Sequence, residues 1–197
     1  MDDAWRTTRT KAYLSQLVEP GLFSAAECTR IIAQCAQHPA ELGRTWNGAA
    51  YTVNSASRSV ETAYIPRSEA MEWIYDRMDE AFLRSAEVWG FDVRRTLEDL
   101  KYMVYREGSH FMQWHIDTGP DYSNLRKLSM TVELNASSEY EGGELHIFPA
   151  ERGHVAGPHR EAGTAVVFPS HGYHRVTPVT RGVRHVLVNW ISGPPLR

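Results

Sequence analysis

The run Tyr105-Arg-Glu-Gly-Ser-His-Phe-Met-Gln-Trp-His-Ile-Asp117 closes on a His-x-Asp step. In an extended strand alternate side chains share a face, so His115 and Asp117 project to one side and Trp114 and Ile116 to the other. An imidazole beside a carboxylate supplies two ligands of a facial metal site. Two His and one carboxylate suit a non-haem Fe(II) that keeps open positions. The tripeptide alone does not make such a site, because a third ligand has to arrive from elsewhere in the chain.

The C-terminal third offers two candidates, His171 and His174, in Phe168-Pro-Ser-His-Gly-Tyr-His-Arg-Val-Thr-Pro178. His174 is preferred, since it opens a strand with Val176 on the same face, whereas His171 sits in a turn beside Gly172. In the last strand Arg184, Val186, Val188 and Trp190 share one face, an apolar wall carrying one cation. An inward Arg needs an anion, because an unpaired buried charge is costly. Its planar fork suits a carboxylate bidentately. That carboxylate could belong to a ligand or to a distant Asp or Glu in a structural ion pair.

Those residues need a scaffold. A short strand is expected over 12–18, followed by the capping box Ser24-Ala-Ala-Glu27, with Phe23 placed to staple against Cys28. The helix behind it buries Cys28, Ile31, Ile32 and Cys35 and stops near His38-Pro39. A second helix follows Pro66, its stripe of Met71, Ile74, Tyr75, Met78, Phe82 and Trp89 being core packing, and Gly90 ends it. Residues 43–59, rich in Gly, Asn, Ser and Thr, read as a surface loop running into a strand at 60–65, or as a flap over a substrate. From Leu100 the pattern changes to short strands near 100–106, 110–117, 126–135, 143–148, 163–169, 173–178 and 183–191, punctuated by Gly and Pro. The fold class is mainly β with flanking helices: a double-sheet jelly roll (double-stranded β-helix) with the N-terminal helices packed on one sheet. A tail over 1–11 and a single domain over 12–197 are expected.

In Leu128-Ser-Met-Thr-Val-Glu-Leu134 the residues Leu128, Met130, Val132 and Leu134 form an apolar face, and Ser129, Thr131 and Glu133 a polar one. That polar face is either solvent or the lining of a site.

The composition is that of an ordinary globular chain, with 42% apolar and 23% charged residues among 197. A net charge of −3 gives no sign of a nucleic-acid or anionic-membrane partner. No apolar run is long enough to span a bilayer and the first residues lack the apolar core of a leader. The only two cysteines, Cys28 and Cys35, are ~10 Å apart along one helix, too far for a bond. They are expected to be buried free thiols of a cytoplasmic protein.

The set resembles the Fe(II)/2-oxoglutarate-dependent dioxygenase superfamily, in its prolyl-4-hydroxylase-like branch. The residues that carry the likeness are Tyr105 and Gly108, His115 and Asp117, Leu134-Asn135 before Gly142-Gly143-Glu144-Leu145, and His174 followed by Arg184. The opening strand, loop and capped helix extend it over roughly 12–191. The resemblance implies that His115, Asp117 and His174 hold Fe(II). It also implies that 2-oxoglutarate binds with Arg184 on its distal carboxylate, assisted by Tyr105 and Thr131, and that O2 is the oxidant, with ascorbate as a reductant. The implied reaction hydroxylates an unactivated C–H bond of an amino acid, free, peptide-bound or carrier-bound, with succinate and CO2 as co-products. Asp117 favours hydroxylation over halogenation, because the related halogenases carry a small residue there.

Candidate substrate contacts are Trp46, Tyr51 and Arg58 in the 43–59 segment and Asp121 in the loop 118–126. The expected partner is a small molecule or a peptide, not a nucleic acid or a membrane. Two other readings remain. A catalytically silent jelly roll would bind a metal or a partner without turnover, although here every ligand position is filled. A nucleic-acid demethylase predicts a basic groove and a second Arg soon after Arg184, where the chain has Asn189-Trp190-Ile191.

Overall fold

Helix α1 (Ala25–Cys35) begins where its first free N–H groups are satisfied: the Ser24 hydroxyl accepts the Glu27 N–H at 3.3 Å, and the Glu27 carboxylate accepts the Ser24 N–H at 2.8 Å. Helix α2 (Glu72–Trp89) stops at Gly90, whose φ of 70° is left-handed and strained for any other residue type. The molecule is described from a computed structural model, covering residues 14–46, 48–148 and 160–195, with Trp46 and Tyr51 in backbone only. The expected 1–11 tail lies outside the described residues. Among the described residues no helix is long and apolar enough to cross a membrane.

In chain order the strands are β1 (Leu17–Glu19), β2 (Ala40–Leu42), β3 (Arg44–Trp46), β4 (Tyr51–Val53), β5 (Arg58–Ser59), β6 (Glu61–Ile65), β7 (Leu100–Tyr105), β8 (His110–His115), β9 (Arg126–Glu133), β10 (Tyr140–Gly142), β11 (Leu145–Ile147), β12 (Ala165–Pro169), β13 (His174–Val176), β14 (Val179–Gly182) and β15 (Arg184–Ser192). Seven form a large sheet in the order β1-β12-β9-β15-β7-β6-β2, and four form a smaller one, β11-β13-β8-β5. Two two-stranded pairs, β3-β4 and β10-β14, stand apart from both. This is the expected jelly roll, with the seven main strands found within a few residues of their expected ends.

Two apolar clusters explain the layering. The first joins Cys28, Ile31 and Cys35 of α1 and Ile74, Tyr75, Met78 and Phe82 of α2 to Leu128, Met130 and Val132 of β9, Val167 and Leu187. The helices thus share a core with the outer face of the large sheet, which is why Cys28 and Cys35 are buried free thiols. The second lies between the sheets and includes Met103, Tyr105, Leu145, Phe168, Val176 and Val186. Burial in these clusters raises the Cys28 and Cys35 thiols to about 11 and about 12, so neither is a nucleophile at neutral pH.

The segment 43–59 is not a plain surface loop. It forms the β3-β4 pair and then β5, which joins the small sheet at the edge of β8, with Arg58 opposite Phe111. These strands are two or three residues long and polar, too short to show a hydrophobic alternation.

Candidate active site

Strand pairing does the first part of the assembly. His174 of β13 stands directly opposite His115 of β8 although 59 positions separate them. Opposed residues of an antiparallel pair share a face, and the two imidazole centroids lie 4.1 Å apart. The strand β8 ends at His115, and the chain beyond it is held by the Asp117 N–H bonding to the Ser170 carbonyl at 2.8 Å. Asp117 then turns its carboxylate into the same space, 4.0 Å from His115 Nε2 and 3.5 Å from His174 Nε2. One ligand atom from each residue lies within 4.8 Å of the others.

The surroundings orient each donor. His115 Nδ1 bonds to the Gln113 carbonyl at 2.9 Å and His174 Nδ1 to the Gly172 carbonyl at 3.0 Å. A carbonyl only accepts, so both Nδ1 atoms carry the proton and both Nε2 lone pairs face the cluster. Such outer hydrogen bonds fix tautomer and ring orientation in metal-binding imidazoles. The Ser129 hydroxyl donates to Asp117 Oδ2 at 2.6 Å and meets the Ser170 hydroxyl at 3.0 Å. Burial alone would raise the Asp117 pKa, but His174, His115 and the Ser129 bond hold it below the ordinary carboxylate range. Burial and the neighbouring His174 push His115 down to about 3. Neutral imidazoles and an ionised carboxylate are the forms that coordinate a cation, and the donor set fits Fe(II).

The cluster opens into a cavity of about 1060 Å³. Its walls repeat the strand parity: Lys101, Met103 and Tyr105 from β7, Thr131 from β9, Val188 and Trp190 from β15. Arg58 lines it from β5, and Arg44 and Thr45 from β3. Thr118, Gly119, Pro120, Tyr122 and Ser123 of the 118–126 loop complete the rim. The polar face of β9 is therefore the lining of the site: Ser129 bonds the ligand carboxylate, Thr131 faces the cavity, and Glu133 meets Arg184.

Two expectations change. Asp121 does not line the cavity; its carboxylate accepts the Ser123 N–H at 2.9 Å and caps a short turn, because a carboxylate two residues ahead of a free N–H closes an Asx turn. Arg184 is not a free cation awaiting a ligand. It is 1% exposed, and its Nε donates to Glu133 Oε2 at 3.0 Å while Nη2 donates to Oε1. The Tyr140 hydroxyl donates to the same Glu133 Oε2 at 3.0 Å. The structural ion pair is thus the observed partner, contributed by the inward face of β9. The side chains of Trp46 and Tyr51, the other expected substrate contacts, lie outside the described residues. His171, the ligand candidate set aside, is outside the cluster, edge-on to Phe91 at 6.4 Å in an adjoining cavity of about 420 Å³.

Lys101, Ser129 and Phe111 belong to the site although the motifs do not name them. Phe111 stacks on His115 with centroids 3.7 Å apart. Strand parity was the signal for all three: Lys101 shares a face with Tyr105, Ser129 with Thr131, and Phe111 with His115.

A jelly roll with two imidazoles and a carboxylate at the mouth of its inter-sheet cavity defines a class of mononuclear metal protein. Comparison with known proteins narrows it. The 2OG-Fe(II) oxygenase superfamily matches residues 100–192. A PKHD-type hydroxylase of Acaryochloris marina is 35% identical over 98 residues, covering 50% of this chain and 43% of that protein. One from Synechococcus sp. strain CC9311 is 27% identical over 172 residues, covering 87% and 75%. A Pseudomonas putida prolyl-4-hydroxylase superposes with a TM-score of 0.72 at 20% identity over 93% of this chain and 95% of that one. A Trichoplax adhaerens prolyl hydroxylase, solved with a hypoxia inducible factor oxygen degradation domain peptide fragment, does so with a TM-score of 0.74 at 16% identity over 98% and 94%. The matched stretch spans under half the length of the first of these relatives. Residues 100–192 thus carry the match to the 2OG-Fe(II) oxygenase superfamily, and the fold is the one seen in the prolyl-4-hydroxylase structures.

Proposed function

We propose that this protein is a 2-oxoglutarate-dependent hydroxylase acting on an unactivated C–H bond of an amino acid, free, peptide-bound or carrier-bound. One observation carries the reading: Nε2 of His115, Nε2 of His174 and the Asp117 carboxylate converge at the mouth of a cavity large enough for a co-substrate and a substrate together.

His115, Asp117 and His174 would hold the iron on one face. Bound Fe(II) with 2-oxoglutarate and O2 supplies the oxidising chemistry, in which one oxygen atom enters the C–H bond and the other enters succinate, with loss of CO2. The chain's own part is to bind, orient and exclude water. Phe111, stacked on His115, and the Gln113 and Gly172 carbonyls keep the imidazoles from rotating. With His174 and His115, the Ser129 hydroxyl helps hold Asp117 ionised. Tyr105, Thr131, Leu145, Val176 and Val188 line the part of the cavity assigned to the diacid. Its far carboxylate is assigned to Arg184. Because Glu133 already occupies that guanidinium, the diacid meets a shared cation, and the affinity for 2-oxoglutarate is correspondingly modest.

Succinate release is the test. With Fe(II), 2-oxoglutarate and air, the protein should release succinate, faster with a substrate than without, and Asp117→Ala should release none. Normal binding of Fe(II) and 2-oxoglutarate with no succinate, coupled or uncoupled, would establish a catalytically silent jelly roll instead.

A further inference from the structure

The cations lining the cavity are not all paired with carboxylates. Of its cationic lining residues, Arg44 is paired with Glu41 at 3.4 Å and Arg126 with Glu98, Nε to Oε1 at 2.6 Å. Arg58 and Lys101 are left. Among the described residues no carboxylate lies within ion-pair distance of either. On the anionic side, Asp117 belongs to the metal cluster and Asp99 is exposed at the rim.

Both cations are positioned by neighbours. The Arg58 guanidinium lies over the Phe111 ring at 4.9 Å and donates from Nη1 to the Arg44 carbonyl at 3.0 Å. Its buried Nε–H has no hydrogen-bond partner. Gly43 makes room for it: a Cβ there would stand 2.3 Å from Arg58 Nε. Phe111 in turn stacks on His115, so this guanidinium is two rings from the metal cluster. The Lys101 ammonium lies 4.5 Å from the Trp190 ring and 5.4 Å from the Tyr64 ring, on the opposite sheet. Burial, then Arg58 and Arg126, push its pKa down to about 8, against the smaller opposing pull of Asp117 and Glu98.

We propose that Arg58 and Lys101 form an anion subsite flanking the metal cluster, which takes a carboxylate of the substrate. This rests on the hydroxylase reading and narrows it: the substrate carries a carboxylate, either the α-carboxylate of a free amino acid or the side-chain carboxylate of an acidic residue in a peptide. One wall comes from each sheet, so a carboxylate between them tethers the substrate across the cavity mouth while the carbon to be oxidised faces the metal. Aromatic walls at Phe111, Tyr64 and Trp190 strengthen this preference, because they hold the cations in place without neutralising them.

The test uses the intact protein loaded with Fe(II) and 2-oxoglutarate under nitrogen. Binding is read from the shift in visible absorption of the loaded centre and by calorimetry. The probes are the free proteinogenic amino acids, their C-terminal amides, and the N-acetyl amides of aspartate and glutamate. Free acids that bind while their amides do not assign the α-carboxylate; binding by the acetylated acidic amides assigns the side chain. Lys101→Met and Arg58→Met should each weaken the binding carboxylates by about tenfold or more, a loss in the range of one charge-assisted hydrogen bond. Lys101→Arg should retain most of it. Fe(II) and 2-oxoglutarate titrations of the same variants control for folding. Equal binding of acids and amides, no binding by any carboxylate, or carboxylate affinity unchanged in both Met variants overturns the subsite. If carboxylates bind in a Lys101-dependent manner but succinate never forms in air, the hydroxylase reading fails and the subsite stands.

Discussion

The pair between Glu133 and Arg184 allows a sharp prediction. Arg184 is 1% exposed and Glu133 5%, and two N–H groups of one meet both oxygens of the other. Replacing either alone strands a charge in the inter-sheet core. Glu133→Leu leaves a guanidinium with no anion. Arg184→Leu leaves a carboxylate whose remaining donor is the Tyr140 hydroxyl. Each should cost about 3–5 kcal/mol of folding stability, a large share of the roughly 5–15 kcal/mol a domain possesses. The double variant removes both charges and refills the space with hydrocarbon, so it should be more stable than either single variant, near the wild type. Urea unfolding followed by circular dichroism measures this from midpoints, provided the slopes agree. The same proteins separate packing from co-substrate recognition. Arg184→Leu and the double variant should both need at least about tenfold more 2-oxoglutarate, since neither offers the far carboxylate a charged donor. Glu133→Gln, which frees the guanidinium while keeping the shape, should need less. Additive losses in the cycle would refute the pairing argument, and a 2-oxoglutarate requirement indifferent to Arg184 would place its anchor elsewhere.

Other outcomes follow from the metal cluster. His174→Ala and Asp117→Ala should abolish Fe(II)-dependent succinate release and Fe(II) binding under nitrogen, whereas His171→Ala, outside the cluster, should keep most of both. Ser129→Ala removes the 2.6 Å bond to Asp117 and should weaken Fe(II) binding by about tenfold or more in a competitive titration, with the deficit growing as pH falls, because Asp117 is then easier to protonate. The metal-free protein should lose stability on acidification. His115 is held down to about 3 by burial and His174, while an unfolded His titrates near about 6.5. Between those values the unfolded chain carries a proton that the folded one refuses, so the contribution of His115 is whole above about pH 6.5 and is lost as pH falls toward the folded value. The drop in urea midpoint between about pH 7 and about pH 5 should be smaller in His115→Gln; an equal drop would remove His115 as its source.

How far the sequence could be read depended on length of signal. The long helices and the seven main strands announce themselves by periodicity, and the three metal ligands by order and residue type. The edge strands β2 to β5, β10 and β14 do not, because two to four residues cannot display a period. Arg184 illustrates a different limit. Its need for an anion was legible, and Glu133 was visibly on the polar face of its own strand, yet a cross-strand pair separated by 51 positions cannot be chosen from sequence over a ligand. Lys101 was within reach: it stands four residues before Tyr105 on the same strand, so strand parity aims it into the cavity.

The division between the two sheets explains why the site tolerates so little displacement. The small sheet supplies both imidazoles as one cross-strand pair, and the large sheet supplies Ser129, Thr131, Glu133, Lys101 and Arg184 from the inward faces of three adjacent strands. A slip of one residue between β8 and β13 would send His174 to the opposite face from His115 and destroy the cluster. The irregular register between His174 and Val176 makes that pairing short. What secures it is the other edge of β13, where Ile147, Leu145 and His146 of β11 pair with His174, Val176 and Arg175 in regular register. Leu145 and Ile147 are both buried between the sheets. The apolar packing of β11 is therefore what holds the third ligand opposite the first.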